Sequence, residues 1–247
     1  MCDHWMPTIT LPITVEQFRQ LPRHPAFKYE YVDGKAILTP YARHYHAMLD
    51  LAPRESPADD EVILRPVRPS DWMELVPVFA GTFRTIQPYG SLDEPTLLVA
   101  ADEALNRTLT GGDGPWLEQG SFVAEAEGEP VGGIFTTLLP DKDPTDWESY
   151  RWSSAPPADA VAKCQGRPHL TWIFVDPRYA GHGTGTALLA SAVNSLHRMG
   201  FKQLLTTFML GNTSSMLWHW RNGFRLLPYP ASRRLTKQRQ QQQQQQQ

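Results

Sequence analysis

The stretch VDPRYAGHGTGTALL, Val175 to Leu189, places glycines at 181, 183 and 185 between a short apolar run and an amphipathic one. The run that leads into it, HLTWIFV, is strand-like and ends in Val-Asp-Pro. The run that follows, TALLASAVNSLHRM, sets Leu189, Val193 and Leu196 on one face of a helix that Gly200 stops. A strand, bare backbone and a helix start make a seat for an anion, because amide N–H groups converge there and no Cβ blocks the approach. Two other glycine loops are excluded. A nucleoside-triphosphate loop needs Gly-Lys-Ser/Thr after a four-residue gap, and no lysine stands there. A dinucleotide loop needs Gly-x-Gly-x-x-Gly and an acid about 20 residues on, yet no Asp or Glu follows Asp176.

Outward from the loop the punctuation continues. FKQLLTTFML reads as a strand, Asn212 caps TSSMLWHWRN, Gly223 stops that helix and FRLLPY is a final strand. Upstream, VILRPV is a strand, and PSDWMELVPVF is a helix capped by Ser70 with Met73, Val76 and Phe79 inward and a kink at Pro77. DEPTLLVAADEALNRTL is a helix with Pro95 near its start and Leu98, Ala101, Leu105 and Thr108 or Leu109 along one face. FVAEAEGEPVGGIFTTLL gives two strands around Glu127-Gly128-Glu129, and residues 140–168 read as a long surface loop. This order predicts a mixed α/β domain over residues 61–232.

The first sixty residues read as a small appendage. Thr14 and Gln17 stand at capping-box spacing ahead of a short helix, and YEYVDGKAIL makes a hairpin around Asp33-Gly34. APRESPADDE is the expected linker. One helix and one hairpin bury little alone, so this unit is expected to lean on its neighbour. Residues 233–247 form a basic, glutamine-rich tail expected to be disordered.

Net charge is −3 over 247 residues, but its distribution is uneven. From Pro177 onward there are nine Lys or Arg and no acid, which favours an anionic ligand on the C-terminal half. Cys2 and Cys164 lie far apart without metal-ligand spacing, the opening MCDHWMPTIT lacks a signal-peptide pattern, and no apolar run is long enough to span a bilayer. A cytoplasmic protein with no metal and no membrane partner is expected.

VDPRYAGHGTGTALL together with NTSSMLWHWRNGF resembles the GNAT superfamily of acyl-CoA-dependent N-acyltransferases, and the element order from Val62 to Tyr229 agrees with it. The family signature is Arg/Gln-x-x-Gly-x-Gly/Ala; here Gly183 and Gly185 fill the glycine places and Ala180 stands where Arg or Gln is usual. The resemblance implies a central mixed sheet flanked by helices, and transfer of acetyl from acetyl-CoA by direct attack of a primary amine on a small molecule or protein. It further implies that the backbone of Ile173, Phe174 and Val175 pairs with pantetheine as an added strand. Gly181, His182, Gly183, Thr184, Gly185 and Thr186 would hold the pyrophosphate, with Arg178 or His182 supplying charge. Asn212 and Ser215 match the family's Asn-x-x-Ala/Ser. His219 stands near the family's usual Tyr and would protonate the thiolate, while His169 stands near its usual Glu and would take the amine's proton. Glu125 and Asp176 are substitute bases.

Two other classes compete. The missing Arg/Gln and Tyr suit a CoA-binding module without catalysis, and the basic C-terminal part suits nucleic acid, which is not the expected partner. The opening, TVEQFRQLP and YEYVDGKAILTP, resembles the start of a restriction-endonuclease-like PD-(D/E)XK family. No room remains for that fold's downstream acids and lysine, so a docking or homodimerisation piece is the expectation. His44-Tyr45-His46 lacks a third ligand for a metal.

Overall fold

Left-handed turns close the hairpins where Asp-Gly and Glu-Gly occur: Asp33 and Gly34 take φ of 49° and 78°, Glu127 and Gly128 take 53° and 87°. The computed structural model describes residues 9–23, 27–40, 44–57, 61–86, 89–145, 150–209 and 212–228, with the side chains of Pro40 and His44 outside that description. The expected tail over 233–247 also lies outside it.

Three short strands, β1 (Ile9–Leu11), β2 (Phe27–Val32) and β3 (Lys35–Pro40), form an antiparallel sheet in the order β1-β3-β2. Helix α1 (Val15–Gln20) starts with the expected reciprocal capping box between Thr14 and Gln17. The main sheet has seven strands in the order β10-β4-β9-β8-β7-β6-β5. These are β4 (His44–Asp50), β5 (Ile63–Pro66), β6 (Phe122–Ala126), β7 (Glu129–Leu139), β8 (Arg167–Val175), β9 (Gln203–Met209) and β10 (Arg225–Leu226). Among the described strands of this sheet, only the β8–β9 pair is parallel. Helices α2 (Asp71–Phe83) and α3 (Glu94–Leu109) share a core cluster with the small sheet, in which Leu11, Phe27 and Leu38 join Leu75, Phe79, Leu97 and Phe174. On the other side, α4 (Thr184–Arg198) buries Leu188, Leu189, Val193 and Leu196 with Ile134, Leu138 and Leu170 of the sheet. Helix α5 (Thr213–Arg221) adds Met216 and Trp218 to that cluster. The result is the mixed α/β architecture that the pattern predicted, a central sheet between helices.

The sequence reading differs from the structure in several places. Residues 44–50, expected within the appendage, run inside the main sheet, paired with β9 from His44↔Met209 to Asp50↔Gln203 and with β10 on the other edge. Ala47, Met48 and Leu49 are buried in succession, so the strand has no alternating pattern to read. Residues 51–57 then cross the back of the domain. The Arg54 N–H donates to Asn194 Oδ1 at 2.8 Å and its guanidinium to the Asn222 carbonyl at 2.8 Å. Met73 is 79% exposed and the inward residues of α2 are Leu75, Phe79 and Ala80; on α3, Leu97 and Ala104 replace Leu98 and Leu109. Between residues 140 and 168, Tyr150 and Ala160 are buried and Trp152 donates to the Leu138 carbonyl, so this stretch packs as well as connects.

Ser70 makes no capping hydrogen bond; its neighbour Asp71 instead reaches back and accepts from the Arg68 N–H at 2.6 Å, ahead of the helix. Asp71 also accepts two bonds from Arg65, at 2.7 and 2.9 Å, while the Arg65 Nε donates to Glu125 at 2.6 Å. This triad ties β5, α2 and β6 together with Asp71 only 3% exposed. Asp71→Ala would leave Arg65 under-compensated in a half-dry site and is expected to cost about 3 kcal/mol. Urea unfolding at pH 7 checks this; a loss below ~0.5 kcal/mol, the range of ordinary surface substitutions, would make the triad ornamental.

Candidate functional site

The site begins where the one parallel pair comes apart. β8 and β9 are in register only at His169↔Leu205 and Leu170↔Thr206. In the β7–β8 ladder, Phe135 faces Trp172 and Thr136 faces Leu170, so Thr171 is an extra residue at a bulge that redirects the strand. Beyond the bulge the backbone opens a slot. The Asp176 N–H donates to the Val131 carbonyl at 2.8 Å. By antiparallel alternation, Trp172 and Phe174 turn their backbone groups to β7, and Ile173 and Val175 turn theirs to the slot. The Val175 carbonyl already accepts from the Thr82 hydroxyl at 2.8 Å. Of the three expected strand contacts, Ile173 therefore offers an N–H and a carbonyl and Val175 an N–H. Phe174 corrects the expectation: its backbone belongs to β7 and its ring stacks on Phe135 at 5.8 Å and meets Phe79 at 5.2 Å.

At the outer end of β8 lies the glycine loop. Gly181 and Gly183 hold φ of 88° and 95°, which favours glycine at both positions, and Gly183 is the residue before the first turn of α4. Having no side chain, Gly183 leaves the N–H groups of Thr184, Gly185 and Thr186 to an outside acceptor. Gly185 has ordinary helical backbone; its open face looks toward the Trp218 indole, 3.4 Å from where a Cβ would stand. His182 is exposed beside the loop, and Thr184 is buried with its hydroxyl donating to the Tyr179 carbonyl at 3.3 Å. Arg178 departs from its expected role. Its guanidinium, though exposed, pairs with Asp176 through Nε at 3.0 Å and Nη2 at 2.8 Å, and the same bonds hold the Asp176 carboxyl below the usual carboxylate range, which makes it a poor base.

Both candidate histidines are buried at the apex of the slot. His169 Nδ1 lies 3.2 Å from the Thr171 hydroxyl and Nε2 lies 3.2 Å from the Thr207 hydroxyl; Thr171 Oγ1 is 2.9 Å from Thr137 Oγ1. A hydroxyl–imidazole–hydroxyl chain thus bridges β8 and β9 where they part. Burial pushes the His169 pKa down to about 3. On α5, His219 Nδ1 lies 2.7 Å from the Ser215 carbonyl, which can only accept, so Nδ1 carries the proton and Nε2 accepts from the Thr206 hydroxyl at 3.1 Å. Burial lowers the His219 pKa to about 4, against the Ser215 bond that favours the charged form. Each ring is therefore neutral at pH 7. The expected roles change accordingly: His169 is too weak a base to hold the amine's proton, and His219 has none on Nε2 to give. Asn212 caps α5 by accepting from the Ser215 N–H at 3.0 Å, as its position predicted. Glu125 is occupied by Arg65 and is no substitute base.

On the other side of Thr171 and Thr207 lies a cavity of about 490 Å³ that also touches His169, Trp172, Tyr150 and Arg107. Its floor is a polar chain: Trp172 Nε1 donates to Thr108 Oγ1 at 2.9 Å, Thr108 donates to Asp113 at 2.7 Å, and Arg107 Nε donates to Asp113 at 2.7 Å. Two compartments thus meet at Thr171, Trp172 and Thr207.

A model of the acetyltransferase (GNAT) family matches residues 91–224. The chain belongs to the GNAT acetyltransferase family. Its solved structural relatives include a GCN5-related N-acetyltransferase from Sphaerobacter thermophilus, 13% identical, matched over 74% of this chain and 48% of that one with a TM-score of 0.49. This chain thus spans about half the length of the Sphaerobacter protein. A GNAT acetyltransferase from Brucella melitensis in complex with acetyl-CoA is 19% identical over 69% of this chain and 90% of that one, with a TM-score of 0.45. A Thermoplasma acidophilum N-acetyltransferase in complex with coenzyme A is 14% identical over 66% and 89%, with a TM-score of 0.45. No curated protein matches in sequence.

Within this GNAT domain, Thr171, Thr206 and Thr207 are the site residues that sequence reasoning passed over. Threonine in a strand reads as a β-former, and the bulge that aims Thr171 into the slot has no local signal. Arg107, Thr108 and Asp113 are likewise legible only once α3 is laid against Trp172. No helix among the described residues is long and apolar enough to cross a membrane.

Proposed function

We propose that the chain is an N-acyltransferase that moves an acyl group, acetyl foremost, from a CoA thioester to a primary amine. The observation that carries this reading is the slot between β8 and β9, with an uncapped helix start at its outer end and an apolar-walled apex beside a second cavity. The thioester supplies an activated carbonyl with a good leaving group. Toward it the chain brings the N–H groups of residues 184–186 for the pyrophosphate and the slot-facing groups of Ile173 and Val175 for the pantetheine amides. Ile173 N–H is the nearest candidate for polarising the acyl carbonyl.

The amine arrives as an ammonium and must lose a proton. The Thr171–His169–Thr207 chain suits passage better than storage, since a neutral imidazole takes a proton at one nitrogen while releasing the other from its second; the proton passed on ends on the departing thiolate, which leaves as the free thiol of CoA. His169 is thereby retained as a relay. His219 orients the Thr206 hydroxyl at the slot. The large cavity receives the amine.

Calorimetric titration with acetyl-CoA tests the reading, with Gly185→Asp beside wild type. Aspartate in a first helical turn favours the helix dipole, so the variant should fold. Its carboxylate, on the Trp218 side of the first turn, would place a negative charge beside the pyrophosphate and weaken binding about 100-fold, ~2.7 kcal/mol. A folded wild-type protein with no affinity for acetyl-CoA would sink the proposal.

A further inference from the structure

The apex of the slot encloses about 130 Å³, and the elements that line it differ in chemistry. The residues of β8, β9 and α5 mix polar groups, Thr171, Thr206, Thr207, Asn212 and Ser215, with apolar ones such as Leu170 and Phe208, whereas those from the N-terminal sheet and from α2 and the turn after it are apolar or aromatic throughout: Ile9, Phe27, Phe83, Ile86 and Tyr89. Two of the apolar residues come from far upstream in the chain: Ile9 opens β1 and Phe27 opens β2 of the small N-terminal sheet. Phe27 is 3% exposed and Ile9 is half-buried against the same cluster as Phe83 and Tyr89. The small sheet is thus part of the site wall.

At the thioester end of an acyl-CoA the apolar piece is the acyl chain; the amides of the pantetheine arm belong further out, along Ile173 and Val175. The apolar wall sits at the apex, the end of the slot away from the glycine loop. We infer that the N-terminal sheet closes the acyl pocket and that Ile9 and Phe27 set the length of acyl chain admitted. An apolar cavity of about 150 Å³ holds a benzene ring, so this one has room for a chain of about four carbons and acetyl leaves part of it unfilled. The inference rests on the acyl-CoA reading above and goes past it by naming the donor's size class and the residues that measure it.

Wild type, Ile9→Ala, Ile9→Trp and Phe27→Leu would be titrated calorimetrically with CoA, acetyl-CoA, butyryl-CoA and hexanoyl-CoA, each variant first checked for an unchanged circular dichroism spectrum. No acceptor amine is needed. Wild type should bind butyryl-CoA at least as tightly as acetyl-CoA. Ile9→Ala and Phe27→Leu should raise the preference for hexanoyl-CoA over acetyl-CoA about tenfold, and Ile9→Trp should lower the preference for butyryl-CoA over acetyl-CoA by about tenfold, the scale of a filled or emptied apolar subsite. CoA itself should bind all four proteins alike. Ile9 lies half-buried on a short edge strand, so its variants remain readable even where Phe27→Leu fails to fold. Equal acyl preferences in wild type and both Ile9 variants, with CoA still bound, would overturn this inference and leave the transferase reading standing. Absence of binding by any CoA species to folded wild type would overturn both.

Discussion

A chain that begins at residue 52 is expected to yield no folded GNAT domain, although the family match starts only at residue 91. The reason is β4. It is an interior strand, with β9 on one edge and β10 on the other, and seven residues of β9 pair with it. Without it β9 becomes a bare edge, β10 has no neighbour and the cluster around Leu204, Phe208 and Phe224 loses Ala47 and Leu49. Removing two side chains the size of Met48 and Leu49 from a core costs about 5 kcal/mol or more before any ladder bond is counted. That equals the lower end of a whole domain's stability, roughly 5–15 kcal/mol. Near-UV circular dichroism and urea unfolding of the shortened chain provide the check. Leu49→Asp in the full-length chain is the companion test, since it disturbs the strand without removing the small sheet. A cooperative transition at the full-length midpoint in both proteins would show that β4 is dispensable.

The same strand marks the limit of what could be read from residues alone. The glycine loop, the caps at Thr14 and Asn212 and the two Xaa-Gly hairpins are local: each is decided by a few neighbouring residues, and each stands where the sequence placed it. β4 is decided by a partner about 160 residues away, and burial on both faces erases its period. The chemistry divides likewise. The backbone turns at Gly181 and Gly183 are legible by spacing, whereas the pairing of Arg178 with Asp176 depends on how the loop folds. The histidines were found as residues, but their charge state depends on burial, and burial is a property of the assembled fold.

Stability is expected to fall by about 4 kcal/mol between pH 7.5 and pH 5 through His169 and His219 alone. In the folded protein their pKa values are pushed down to about 3 and about 4. In the unfolded chain each returns to about 6.5. Between these limits the unfolded state binds a proton at each ring and the native state does not, so unfolding gains about 1.4 kcal/mol per ring for each pH unit below 6.5. Above pH 6.5 neither state is protonated and the slope vanishes. The contribution is therefore complete at neutral pH and is lost as pH falls toward the folded values. Urea midpoints from pH 7.5 to 5 measure it, and His169→Gln with His219→Gln should flatten the slope, each removing about half. Parallel pH dependence in wild type and the double variant would mean that these rings take up protons in the fold at the same pH as in the unfolded chain. In that event His169 would hold a proton and not pass it, and the relay assigned to Thr171, His169 and Thr207 would give way to an ordinary base.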